Sequence, residues 1–411
     1  MKNIKINREE IYVPNKREQN NITIFLFFSV MSSIAANICS EGYIQAYLIK
    51  LGFDTESIRN YGIIIQTVPI AAYIIFTLLP PMKKGLKKIY ATAILFTSIF
   101  PLVLAMAGYI SSLAALYTII LVAAALYGFL MAFRTVAEYI VTPYLFSRDL
   151  YGTAVSKAMF IGGVITICIS LCAGFLLERY GTGVYAFLFC VPVAALSLCT
   201  FFVLLYKFDG DESGEMPPYI PYSNILRTII SARYMIKLSP HFLRGVAMAG
   251  IYYIIPSVFK NIAFSDSEMS FLIVISVGAT MAGSFLFMRF NNKIKSGMIT
   301  LTSIIICSVI MPLLVICGDK YLFFFLYFLF FIFNIVSQIS IPTGVLRSTP
   351  NDELSLITSM RFLLMGIATS LFIFVFDILM KYIAAMYIML FSGIIFILCG
   401  FLYKKQFNDH L

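Results

Sequence analysis

Twelve runs of about 20 or more predominantly apolar residues follow one another along this 411-residue chain. They lie near 22–48, 57–79, 89–109, 113–141, 154–177, 183–206, 241–262, 267–288, 298–317, 321–342, 356–379 and 383–403. A helix rises about 1.5 Å per residue, so each run is long enough to cross the ~30 Å hydrocarbon core of a bilayer. Hydrocarbon offers no partner to backbone N–H and C=O groups, so a spanning segment must satisfy them within itself or in a closed barrel. Runs of this length, rather than alternating segments of about ten residues, select the helix. The spacing therefore predicts an all-α polytopic membrane protein with twelve transmembrane helices.

Composition agrees, and it removes other classes. With 60% hydrophobic and 12% charged residues, the chain has too little polar surface for a soluble domain. Its net charge of +10 follows topology rather than a nucleic-acid partner. With the N-terminus inside, twenty-one basic residues fall on the inner side and six on the outer, a bias that places both termini in the cytoplasm of a plasma (inner) membrane. The first apolar run lacks a small-residue cleavage site, so it reads as a retained span. All eight cysteines lie in apolar runs, with no loop pairs for a disulfide framework or a metal site. There is no Trp, and the 25 Tyr must supply the interfacial anchors.

One long polar loop divides the spans six and six. The expected organisation is a cytoplasmic segment 1–21, an N-terminal six-helix bundle 22–206, a linker 207–238, a C-terminal bundle 239–403 and a tail 404–411. Within the linker Ile225, Leu226, Ile229 and Ile230 share one helical face, which predicts an amphipathic helix from Asn224 to Leu238 on the inner membrane surface. The halves echo each other at an offset of about 200 residues. "TPYLFSRDLYGTAVSKAMFIGG" after the fourth run parallels "IPTGVLRSTPNDELSLITSMRFLLMG" after the tenth, matching Pro143 to Pro342, Ser156 to Ser359 and Gly163 to Gly366. Internal repeats in a helical membrane protein mark secondary transporters, whose halves rock about a central site.

This layout, with a basic "MKKGLKK" loop between the second and third spans, resembles the major facilitator superfamily over essentially the whole chain. The resemblance implies two pseudo-symmetric six-helix bundles and transport by alternating access. Gly85 and the lysines fit the family's loop signature, while Met82 stands where the family carries Asp. The fifth span, "SLCAGFLLERYG", lacks the Gly-Pro pattern of the family's proton-driven drug exporters, which argues against efflux.

Charges at membrane depth cost at least ~2.5 kcal/mol each on insertion scales, so they face a cavity or a partner. Arg134 and Glu138 stand at i, i+4 in "ALYGFLMAFRTVAEYIVTP", where they share a helix face and can neutralise each other. Glu41 has no opposite charge in its own span. Desolvation favours the neutral form of such a carboxyl group, which makes it a candidate proton carrier. Proton-coupled sugar symporters of the superfamily pair an acid in the first span with a charge in the fourth, and Glu41 with Arg134 or Glu138 is similar. Shifted by 200 residues, Arg134 and Glu138 land on Asn334 and Gln338; shifted by about 211, Glu41 lands on Tyr252, beside Tyr253. Asn37 and Gln66 add polar groups that serve either a ligand or helix packing. The reading assigns proton coupling to Glu41 and Glu138, and substrate contact to Asn37, Gln66, Arg134, Tyr252, Tyr253, Asn334 and Gln338. Arg148, Asp149, Lys157, Arg244, Arg347, Asp352 and Arg361 are candidates for an inner gate, with snorkelling at helix ends as the plainer role for the basic ones.

The function that follows is secondary active transport of a small polar molecule, coupled to protons, by a monomer in the lipid bilayer that binds no nucleic acid and needs no cofactor or metal. An exporter of amphiphilic compounds or a lipid flippase is the second reading. A membrane-embedded transferase is the third, against which stands the lack of any loop with clustered His, Asp or Glu; only two His occur.

Overall fold

Over the described residues, every apolar run closes its backbone hydrogen bonds as a helix. The computed structural model describes residues 14–39, 44, 47, 48, 51–78, 85–180, 184–207, 231–262, 266–291, 293–350 and 353–408. The spans run, in order, Lys16–Ile38, Thr55–Leu78, a third span in two pieces, Leu113–Leu145, Arg148–Tyr180, Val184–Leu205, Ala232–Ile262, Asp266–Phe290, Ser296–Ile316, Lys320–Ser348, Leu354–Leu379 and Ala385–Asn408. Nine of them are long and apolar enough, over the described residues, to cross a bilayer, and the second and eighth add shorter apolar helices. The third span breaks at Ser98 between Leu86–Thr97 and Ile99–Met106. Pro101 explains the break: it has no N–H to offer the Thr97 carbonyl, and its ring crowds that group. The Ser98 hydroxyl and N–H both turn back to the Leu95 carbonyl, at 2.6 and 3.0 Å. The expected surface helix from Asn224 lies outside the described residues up to 230. Its end, from Ala232 to Leu238, continues directly into the seventh span.

Packing repeats between the halves. The first span lies on the fifth and sixth, the second on the fourth, and the third on the fourth and sixth. Correspondingly, the seventh lies on the eleventh and twelfth, the eighth on the tenth, and the ninth on the tenth and twelfth. Across the seam the second span meets the eleventh and the fifth meets the eighth; the fourth also reaches the eleventh, and the fifth the tenth. Each of these seam contacts is the mirror of another. The matched glycines of the repeat sit on the seam itself: a Cβ on Gly163 would meet Met281 at 2.5 Å, and one on Gly366 would meet Ile70 at 3.2 Å.

Polar groups hold the helices where apolar contact gives little preference, because lipid tails are as apolar as Leu. Between the ninth and tenth spans Thr300 donates to the Ser340 hydroxyl at 2.8 Å, and Ser296 donates to the Ser340 carbonyl at 3.1 Å. At the end of the bundle where both described termini lie, Asn21 is fully buried. Its amide donates to the carbonyls of Leu145 and Lys207 at 2.8 and 2.7 Å and accepts from the Lys207 N–H at 3.0 Å, tying the first span to the ends of the fourth and sixth. Glu18 accepts from the Asn15 and Ser147 N–H groups, capping its own helix and the fifth at once. At the opposite end Tyr109, Tyr321 and Tyr382 are almost fully exposed, the placement of interfacial anchors.

Replacing Asn21 with Leu leaves two carbonyls and one N–H without this partner. The expected loss is about 1–3 kcal/mol of stability, read as a lower Tm of the detergent-purified protein; an unchanged Tm sinks the assignment of Asn21 as a tether.

Candidate functional site

The fourth span carries its charges to the centre of the molecule because three neighbours converge there. A cavity of about 270 Å³ opens between the first, fourth, fifth and tenth spans, lined by Phe25, Phe28, Ser29, Ser32 and Ser33, by Arg134, Glu138 and Tyr139, by Tyr151, Val155, Ala158 and Met159, and by Gln338, Ile339 and Pro342. Both halves contribute. Glu138 and Gln338, which the repeat matches, meet on its walls.

The expected internal pairing of Arg134 with Glu138 is not formed. Arg134 is buried and turns toward the first span, where its Nη2 donates to the Ser32 hydroxyl and its guanidinium lies 5.2 Å from the centre of the Phe28 ring. The reason is local: a hydroxyl acceptor and an aromatic face together satisfy part of the fork of donors while occupying no negative charge. Glu138 is half-buried, and among the described residues its carboxylate makes no ion pair within 4.0 Å. It faces the cavity with its oxygens available. Asn334, the mirror of Arg134, is buried inside the tenth span instead, with its Oδ1 unpartnered.

The other expected site residues divide. Tyr252 is exposed and does not line this cavity. Glu41 and Asp352, and the side chains of Asn37, Gln66 and Tyr253, lie outside the described residues. Lys157 is exposed on the fifth span. Arg244, expected at the inner gate, is buried within the C-terminal bundle, as is His241. The reason is Tyr403, whose hydroxyl lies 2.7 Å from His241 Nδ1 and within reach of Arg244. Arg361 is buried too, its guanidinium 4.4 Å from the Phe362 ring centre and 4.7 Å from that of Tyr139. Aromatic faces there take the place of water around the cation.

Three gate candidates meet across the seam in a reciprocal clamp. Arg148, at the start of the fifth span, donates through Nη1 to the carbonyls of Leu346 (2.6 Å) and Thr349 at the end of the tenth. Arg347, from that same helix end, pairs with the Asp149 carboxylate at 3.1 Å and donates to its carbonyl at 3.3 Å. A cation beside the last carbonyls of a helix is favourably placed in its dipole. Glu353, the neighbour of Asp352, instead pairs with Lys237 at 3.5 Å inside the C-terminal half. Deeper along the seam, Phe362 stacks on Tyr73 of the second span at 5.4 Å and tilts against Tyr139 at 6.1 Å. These contacts gather on the side of the cavity toward the termini.

Sequence reasoning did not find Ser32, Phe28, Tyr139 or Tyr151. Serines and aromatics are common in membrane helices, and only the placement of the first, fourth and fifth spans singles these out. The "RTVAE" pair and its polar mirror were the one local signal.

With the geometry in view, comparison with known proteins is direct. The Major Facilitator Superfamily model matches residues 22–373, and the chain belongs to that family. No curated protein matches it by sequence. Solved structures match almost end to end. FucP, the E. coli fucose:proton symporter, in its outward conformation has 11% identity and a TM-score of 0.71, covering 95% of this chain and 98% of its own. A bacterial homologue of the iron transporter ferroportin in its outward-facing state has 10% identity and a TM-score of 0.68, covering 96% and 99%. The human organic anion transporter MFSD10 (TETRAN) has 10% identity and a TM-score of 0.69, covering 95% and 100%. The chain is thus an integral, multi-pass membrane transporter that works by alternating access on a small-molecule substrate, and it is not an enzyme.

Ser32→Ala removes the acceptor of Arg134. A hydrogen bond to a charged group contributes about 1.5–3 kcal/mol, so the thermal unfolding midpoint is expected to fall by several degrees, while Ser29→Ala, which leaves that bond in place, serves as the control. Equal midpoints for the two variants exclude the bond as described.

Proposed function

We propose that the cavity between the halves is the transport site, that it carries a small polar molecule, and that Glu138 takes up and releases the proton coupled to its movement. The observation that carries this reading is the Glu138 carboxylate, without an ion pair among the described residues, lining one cavity with Gln338 of the other half while Arg134 hydrogen-bonds to Ser32. A carboxylate with no fixed partner inside an apolar wall changes protonation when a ligand or water arrives; a locked salt bridge does not. The volume of about 270 Å³ lies at or below the ~300–1,000 Å³ of pockets for drug-sized ligands, which favours small cargo over a lipid or a bulky amphiphile. Glu41 in the first span is kept as a second proton carrier. That FucP is a proton symporter supports the coupling by analogy alone.

The clamp of Arg148, Arg347 and Asp149 is read as the gate on the side of the termini. With the termini in the cytoplasm, as the basic-residue bias suggests, that gate is the inner one and the conformation faces outward. Two of the similar structures are outward-facing, in support of this reading. Opening inward then requires breaking the clamp and sliding the seam at Gly163 and Gly366.

In proteoliposomes, Glu138→Gln is expected to keep substrate counterflow while abolishing accumulation driven by a pH gradient. Gradient-driven accumulation at the wild-type level in that variant removes Glu138 from coupling. The gate has its own test. Arg148→Ala with Arg347→Ala is expected to raise the labelling rate of a cysteine placed at Met159 by a membrane-impermeant maleimide applied from the side of the termini, by roughly tenfold for each 1.4 kcal/mol of shifted equilibrium. No change in rate would leave the clamp a static tie.

A further inference from the structure

Among the described residues, the interior of this transporter holds more positive charge than negative. Three guanidinium groups are buried among the described residues at the level of the cavity and behind it: Arg134, Arg244 and Arg361. Among the described residues the cavity lining sets one carboxylate against them, Glu138, while the buried Glu18 caps helices at the end where the termini lie. The remaining described acids in ion pairs are committed elsewhere, Asp149 to Arg347 and Glu353 to Lys237. The excess is also unsatisfied in hydrogen bonds. Arg361 Nη1, Arg244 Nε and His241 Nε2 are buried without a partner. A guanidinium fork matches an oxyanion, and an unpartnered buried donor costs free energy until one arrives.

These groups are not scattered. Arg361 lies 4.7 Å from the centre of the Tyr139 ring, whose other contacts include Tyr151, and both tyrosines line the cavity. Arg134 lines it directly. A ligand there has Arg134 and Tyr139 on its walls, and Tyr139 in turn contacts Arg361. Most of the remaining wall is Phe25, Phe28, Val155, Met159 and Ile339, broken by serines.

We infer that the cargo is a small organic anion, an oxyanion group on a partly apolar body, whose acidic end contacts Arg134 while Arg361 supplies attraction through the Tyr139 wall. This inference rests on the cavity being the transport site, as proposed above, and names the class of its substrate. It also gives the coupling an electrostatic sense: a proton on Glu138 removes the one negative charge that competes with the anion for Arg134.

The test uses the full chain purified in detergent and four compounds built on one ring: benzoate, phenyl phosphate, benzyl alcohol and benzylamine. Dissociation constants come from calorimetric titration. At least one of the two anions is expected to bind tenfold or more tightly than the neutral and cationic compounds, and the ratio between benzoate and phenyl phosphate tells carboxylate from phosphate cargo. Arg134→Gln is expected to weaken that anion roughly tenfold to hundredfold, the loss of a charge-assisted contact. Arg361→Gln should weaken it about tenfold, the size of a Coulomb attraction across ~10 Å of partly buried protein, with Arg361→Lys restoring most of the loss. If neither anion outbinds its neutral counterpart, or if Arg361→Gln and Arg361→Lys both bind like wild type, the inference is overturned. Counterflow in proteoliposomes separates it from the transport reading. Anion binding without counterflow removes transport through this cavity and keeps the anion site; counterflow of neutral solutes alone keeps transport and removes the anion.

Discussion

A bilayer interior cannot hydrogen-bond to protein, and that constraint organises this chain from its secondary structure to its site. Backbone groups have no alternative to the helix, so twelve apolar runs become twelve spans. Side chains are under the same rule. A polar group that enters the hydrocarbon level must find its partner in another helix, and each such pairing fixes how two helices lie. Asn21 fixes the first span against the ends of the fourth and sixth, and Ser340 fixes the tenth against the ninth. Apolar contact fills the remaining space but gives little reason to prefer one neighbour over another.

The repeat doubles every one of these solutions, and the seam between the halves is where the doubling has its effect. Because the second and eleventh spans mirror the eighth and fifth, the same local packing closes both sides of the interface. Glycine at the matched positions 163 and 366 allows close approach there. The clamp of Arg148 and Arg347 is likewise one interaction written twice, each arginine seeking the helix end of the other half. Pairs of this kind on both sides of one seam give an interface that can part at one end while staying packed at the other.

Symmetry stops at the cavity. Position 138 is a carboxylate and its mirror, 338, an amide; 134 is a cation in the cavity and its mirror, 334, a buried amide of the tenth span. In the cavity lining the charged groups thus come from the N-terminal half, and the tenth span supplies an amide. A two-fold site would hold its ligand equally in either half. On the reading proposed above, the asymmetry gives the cargo a preferred orientation.

What the sequence determined by itself is whatever depends on local chemistry and periodicity. Helix existence, span order and the repeat were all legible, because run length, polar breaks and a fixed offset need no knowledge of neighbours. "FRTVAE" was visible as an anomaly for the same reason. Partnership was not. The i, i+4 spacing offered Arg134 a partner in its own helix, yet the first span presents Ser32 and Phe28 at closer quarters, and only the tertiary structure decides between an intrahelical and an interhelical acceptor. Arg244 and Arg361 read as snorkelling residues at helix ends, but the positions of Tyr403 and Tyr139 draw both guanidiniums inward. A side chain's partner in a membrane protein is set by which helices touch, and that is a long-range property that no local pattern encodes.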